Sequence, residues 1–78
     1  MWFVYILKCS DGKLYTGCTE DFDERLNRHK SGYVNATKFR LPVTLVSYTA
    51  FPDKYKAFEF EKYLKSGSGR AFLAKHYV

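Results

Sequence analysis

The chain has 78 residues, of which 46% are hydrophobic and 27% charged, the balance of a globular domain and too short for a multidomain enzyme. Aromatic residues reach 19%, enough bulk to build a core without a disulfide or structural metal, and this excludes a disordered chain. Thirteen Lys and Arg against eight Asp and Glu leave a net charge of +5. No carboxylate falls between Arg25 and Pro52, nor from Lys62 to Val78, while both stretches carry Lys and Arg. Such stretches suit a polyanion, because each phosphate neutralised releases counterions; a plain solvated surface is the competing reading.

Trp2 to Cys9 is dense in Val, Ile, Tyr and Phe and reads as a buried strand. Ser10-Asp11-Gly12 is a turn signal, and Lys13 to Cys18 reads as the returning strand of a hairpin. A helix follows, capped by Thr19 or Asp21, with Asp21 and Glu24 at capping-box spacing. Its early acids and its late Arg28, His29 and Lys30 match the helix dipole, and Ser31-Gly32 ends it. Pro42 to Ala50 reads as a third strand, and Phe51-Pro52-Asp53 breaks it to start a second helix over about Asp53 to Lys65. Ser66-Gly67-Ser68-Gly69 is expected to end that helix, leaving Arg70 to Tyr77 for a short last one. The order ββαβα(α) predicts an α+β domain spanning residues 1–78, with a small antiparallel sheet flanked by helices.

Cys9 and Cys18 have no metal-ligand spacing and no zinc partners nearby, so both are expected to be reduced thiols. Met1 leads directly into the apolar run without a basic leader, and that run is too short to span a bilayer. The expectation is a cytoplasmic protein with no membrane association.

Phe3-Val4-Tyr5 and Tyr15-Thr16-Gly17 resemble the two halves of the GIY-YIG nuclease signature. With Arg25 and His29 on the first helix and Glu61 on the second, the ordered set is similar to the GIY-YIG endonuclease family. More narrowly it resembles small stand-alone bacterial members related to the excision-repair nuclease domain, over essentially the whole chain. The resemblance implies a three-stranded antiparallel sheet and metal-dependent hydrolysis of DNA, in repair or recombination. Phe3 stands where the family has its first glycine, Thr16 where it has its second isoleucine, and Cys18 where many members have lysine. No asparagine follows Glu61. These departures keep an alternative open: a nucleic-acid-binding module on the same fold with weak or no cleavage. A structural domain meeting an acidic protein ranks last, because it leaves the ordered set unexplained.

Strand and helix geometry test the resemblance. A two-residue Asp11-Gly12 turn would pair Lys8 with Tyr15 and put the two tyrosines on opposite faces. A three-residue loop pairs Cys9 with Lys13, Leu7 with Tyr15 and Tyr5 with Gly17, which puts them on one face and Gly12 in the left-handed position. Shared action of Tyr5 and Tyr15 therefore predicts the three-residue loop. Arg25 and His29, four apart, project from one helix face. On the second helix Ala57, Phe60 and Leu64 form the apolar stripe; Glu61 lies about 40° from Ala57, at the stripe's edge, whereas Glu59 lies nearly opposite that edge.

In the reaction that the resemblance implies, Glu61 holds one divalent cation, Mg²⁺ or Mn²⁺, with water and substrate oxygens as the other ligands. Arg25 clamps the scissile phosphate, Tyr5 and Tyr15 position or deprotonate water with their pKa lowered by nearby cations, and His29 relays the proton. Gly17 allows close approach of the substrate backbone. Lys38 and Arg40 hold flanking phosphates, and either could replace the missing lysine. The competing readings are an ion pair of Glu61 with Lys65, one of Arg25 with Asp21, and strand packing for the tyrosines. Without room for a specificity domain, the chain is expected to be weakly selective or guided by DNA structure or a protein partner.

Overall fold

The computed structural model describes residues 1–77. Strands β1 (Trp2–Lys8), β2 (Leu14–Thr19) and β3 (Thr44–Phe51) form one antiparallel sheet in the order β2-β1-β3. Helices α1 (Phe22–Lys30), α2 (Lys54–Lys65) and α3 (Gly67–Tyr77) flank it, the expected α+β arrangement.

The central strand is buried on both faces, which is why its sequence is a continuous apolar run. Val4 and Ile6 point toward α2 and α3 and join Ala57, Leu64 and Leu73 in one core. Tyr5 and Leu7 point the other way and join Cys9 and Val43, with Tyr15, Phe22 and Leu26 against them. Phe22, the first residue of α1, seats that helix on the sheet through ring contacts at 5.4 Å with Phe3, 5.9 Å with Tyr5 and 5.1 Å with Tyr48.

The hairpin takes the three-residue loop. Tyr5 pairs with Gly17 and Leu7 with Tyr15, the Cys9 N–H donates to the Lys13 carbonyl at 2.9 Å, and Gly12 has φ 81°. Asp21 caps α1, its side chain accepting from the Glu24 N–H at 3.3 Å, and Asp53 caps α2 by accepting from the Tyr55 N–H at 2.8 Å. Each cap satisfies an amide that the helix leaves without a partner.

Two boundaries differ from expectation. β3 begins at Thr44, two residues after Pro42, and its register on β1 slips between Ile6 and Leu7, so that Val46 is an extra residue. This bulge turns Tyr48 and Leu45 toward the same face of the sheet, which a strict two-residue alternation cannot do. The Ser66–Gly69 run is a corner only at Ser66, and α3 begins at Gly67. Ser66 Oγ accepts from the Gly69 N–H at 3.2 Å and donates to the Tyr63 carbonyl. Gly69 is buried where a Cβ would strike the Tyr63 and Leu64 backbone, so its glycine serves helix-to-helix contact and not a loop. No helix among the described residues is long and apolar enough to cross a membrane.

Candidate active site

The hairpin and α1 bring four of the expected residues together. Tyr5, 1% exposed, meets His29 through a 2.8 Å hydrogen bond between its Oη and the imidazole Nε2. The other ring nitrogen, Nδ1, is 2.8 Å from the hydroxyl of Thr37, and both His29 and Thr37 are completely buried. The Tyr15 ring lies 5.2 Å from that of His29 and 6.5 Å from that of Tyr5. Tyr15 is half-buried and is therefore the tyrosine with access to solvent.

Electrostatics at this cluster differ from the simple expectation. Burial pushes the Tyr5 phenol up from its usual pKa, and this outweighs the lowering by the Arg25 guanidinium. His29 is pushed down to about 4, by burial first and by the charge of Arg25 second. It is therefore neutral near pH 7 and supplies no cation to acidify the tyrosines. The Tyr5 phenol, with Tyr15 contributing less, raises the already high pKa of Arg25. No Arg25–Asp21 ion pair forms among the described residues, since the Asp21 carboxylate caps α1. The Nε of Arg25 is buried without a hydrogen-bond partner, an unusual state for so polar a donor.

Glu61 and Lys65 approach from the opposite face. α2 covers the Val4 side of the sheet, and β2 is an edge strand, so the end of α2 can reach round that edge. The Lys65 ammonium sits 6.0 Å from the centre of the Tyr15 ring and 3.1 Å from the Glu61 carboxylate. The expected competing ion pair thus exists, yet Lys65 also ties Glu61 to Tyr15. Glu61 is half-buried at the rim, whereas Glu59 is exposed. Burial pushes the Cys18 thiol up, with the Glu61 carboxylate adding to the effect. Cys18 and Cys9 are both free thiols.

Three further residues occupy different settings from those expected. Gly17 is buried under the Tyr5 ring, which fills the space a Cβ would need; the close approach there is made by Tyr5, not by a bound strand. Arg40 is engaged with Asp11, its Nε donating to the carboxylate at 2.8 Å, while its carbonyl accepts from the Ser10 N–H at 2.9 Å. It ties the long loop to the hairpin turn. Lys38 adjoins Thr37 in the chain, but its ammonium lies 5.0 Å from the centre of the Phe39 ring. Sequence reasoning missed Thr37 altogether and treated Lys65 only as a competitor for Glu61. The signal for Lys65 was its i,i+4 placement after Glu61 on one helix face.

Among the described residues, no group of three or more His, Cys, Asp and Glu could enclose a metal ion. His29 is spent between Tyr5 and Thr37, which leaves the single carboxylate of Glu61 on the rim. One hard oxygen donor facing solvent fits a hydrated magnesium-type cation completed by water and phosphate oxygens, and does not fit a zinc site.

The family model for the GIY-YIG catalytic domain matches residues 1–76. The chain belongs to the GIY-YIG family. A UPF0213 protein of Streptococcus agalactiae is 43% identical over 72 residues, covering 91% of this chain and 82% of that protein. A UPF0213 protein of Halalkalibacterium halodurans is 45% identical over 69 residues, covering 87% and 73%. The solution NMR structure of a UPF0213 protein from Bacillus halodurans superimposes with a TM-score of 0.61 at 40% identity, covering 99% of this chain and 86% of that one. This GIY-YIG domain is thus similar to small stand-alone bacterial proteins and has a nuclease-type fold.

Proposed function

We propose that this GIY-YIG domain is a divalent-metal-dependent endonuclease that hydrolyses phosphodiester bonds in DNA. The observation that carries the reading is the half-buried Arg25 guanidinium held against the Tyr5–His29 pair, with the Tyr15 ring beside it. A phosphodiester is the ligand suited to such a half-buried guanidinium, whose planar fork of donors matches phosphate oxygens. Arg25 and Lys65 against Glu61 leave the site with one net positive charge, which favours a phosphate anion.

Arg25 holds the scissile phosphate and stabilises charge on its equatorial oxygens. Tyr15, half-buried, orients the attacking water. As the bond from water to phosphorus forms and the bond to the leaving sugar oxygen breaks, the proton from water enters the tyrosine–imidazole chain. Tyr5 Oη and neutral His29 Nε2 can pass one proton between them, and Thr37 keeps the imidazole in place. A bound phosphodiester offsets the Arg25 charge, which with burial holds His29 down, so the imidazole accepts a proton more readily with substrate present. Glu61 would hold the cation, Mg²⁺ or Mn²⁺, which when bound supplies Lewis-acid stabilisation of the leaving oxygen. Lys65, whose ammonium lies 6.0 Å from the centre of the Tyr15 ring, supplies a cation to the site where Cys18 supplies none.

The burial and raised pKa of Tyr5 favour the second reading, a domain that binds nucleic acid and cleaves it poorly. Labelled single-stranded, duplex and branched DNA, incubated with millimolar Mg²⁺ or Mn²⁺, separates the two. Metal-dependent cleavage that drops by about 10²–10⁴ in Glu61→Gln, with binding retained, supports the nuclease. Salt-sensitive binding without cleavage by the parent protein overturns it in favour of the binding module.

A further inference from the structure

A groove of about 530 Å³ runs between the β1–β2 turn and α3, lined by Gly12, Lys13, Leu14, Arg40, Arg70 and Leu73. A second hollow of about 250 Å³ shares Leu14, Arg70 and Leu73 with it and continues to Tyr15, Thr16 and Lys65. The two form one path along the β2 edge, from Tyr15 and Lys65 past Arg70 to Lys13. Asp11, the carboxylate beside this path, is consumed: its oxygens accept from Arg40 and from the Lys13 N–H. Lys13 and Arg70 are exposed, and among the described residues neither pairs with a carboxylate. Leu14 and Leu73 give the path an apolar floor, which strengthens the fields of the charges above it.

We propose that this path is a phosphate-backbone track that holds the nucleic-acid strand on one side of the scissile phosphate, with Lys13 and Arg70 as its phosphate contacts. It rests on the nuclease reading for the position of that phosphate. From Tyr15 to Lys13 an extended chain covers about 7 Å, at about 3.4 Å per residue. Successive phosphates of one strand are separated by a full nucleotide of backbone, about 7 Å and well beyond their rise of about 3.4 Å along the axis, so this span is about one phosphate step past the scissile one, which the long Lys13 and Arg70 side chains extend. The positive charges are spread along the path and not gathered at one point, as a repeating anion requires. None of Lys13, Arg40 or Arg70 is needed to build the core, since Leu14 and Leu73 close it beneath them.

The test uses the intact chain carrying Glu61→Gln, so that binding is measured without cleavage. Affinity for a short fluorescein-labelled duplex and its single strand is read by anisotropy across a salt series. Lys13→Gln and Arg70→Gln are then added singly and together, with Lys56→Gln on α2, away from the path, as the control. Lys13, Lys56 and Arg70 are exposed, and circular dichroism verifies that the variants fold. The expected result is a slope of log K against log salt that flattens by about 1 for each single variant and about 2 for the double, with the control unchanged. A double variant with the parent slope overturns the track, as does absence of any DNA binding. Cleavage by the otherwise native chain is assayed separately: a flattened slope with no cleavage keeps the track and defeats the nuclease, and cleavage with an unchanged slope does the reverse.

Discussion

Acidification should destabilise this domain chiefly through His29. The imidazole is completely buried between Tyr5 and Thr37, and burial together with the Arg25 charge holds its pKa at about 4. In the unfolded chain it titrates near 6.5. Between those values the unfolded state binds more protons than the folded one, so stability falls as the pH falls. The loss begins below about pH 6.5, runs at no more than about 1.4 kcal/mol per pH unit, and reaches about 3 kcal/mol once pH 4 is passed. Domains have roughly 0.05–0.15 kcal/mol of stability per residue, so this is a large share of the total. Asp11 does not confuse the window, because Arg40 holds its carboxyl below the usual carboxylate range. Urea unfolding followed by circular dichroism from pH 7.5 to 4 measures the effect; with an m-value of about 1 kcal/mol/M, the midpoint should drop by about 3 M. His29→Gln should be less stable at pH 7.5 but show a much flatter pH dependence. Parallel pH profiles for the two proteins would refute the argument, since they would mean that His29 takes up its proton without unfolding.

Lys65→Met should lower cleavage by about 10-fold or more while changing stability by less than about 1 kcal/mol, because its ion pair with Glu61 is half-exposed; single-turnover rates and thermal melts measure the two. Gly17→Ala should push the Tyr5 ring off His29 and cost about 1–3 kcal/mol by overpacking, with loss of cleavage, as checked by unfolding and by the chemical shifts of the His29 ring. Thr37→Val leaves the Nδ1 of buried His29 without a partner, so it should cost about 1–3 kcal/mol and shift the pH–rate profile of cleavage. A purely structural Thr37 would change stability without moving that profile.

Local rules were legible wherever a feature depends on near neighbours in the chain. Ser10-Asp11-Gly12 marked the turn but allowed a two- or a three-residue loop; shared action of Tyr5 and Tyr15 required the three-residue one, which aligns Tyr5 with Gly17 and Leu7 with Tyr15. Asp21 and Asp53 marked the starts of two helices because a short side chain can accept from an amide two or three residues on. The four-residue spacing of Arg25 and His29 placed both side chains on one face of α1, as the 3.6-residue helical period requires, and packing turned that face to the hairpin tyrosines. At Ser66 the same reasoning misplaced a helix start: a glycine run looks like a loop unless the neighbouring helix is seen to demand that Gly69 have no side chain.

The position of the turn, the caps and the shared helix face of Arg25 and His29 followed from the chain itself, because each depends on a few adjacent residues. The length of the loop, and with it the shared face of the tyrosines, followed only from the requirement that the two act together. Packing decided the remainder. The path of α2 under the sheet brought Glu61 and Lys65 round the β2 edge to Tyr15, and no periodicity within α2 specifies which strand it will meet. A long polar loop carried Thr37 to the far side of His29, and burial then held that imidazole neutral, so it supplies no cation to the tyrosines. The same loop committed Arg40 to Asp11 at the opposite end of the hairpin. Each of these depends on which groups lose water together, a quantity set by contacts between segments distant in sequence.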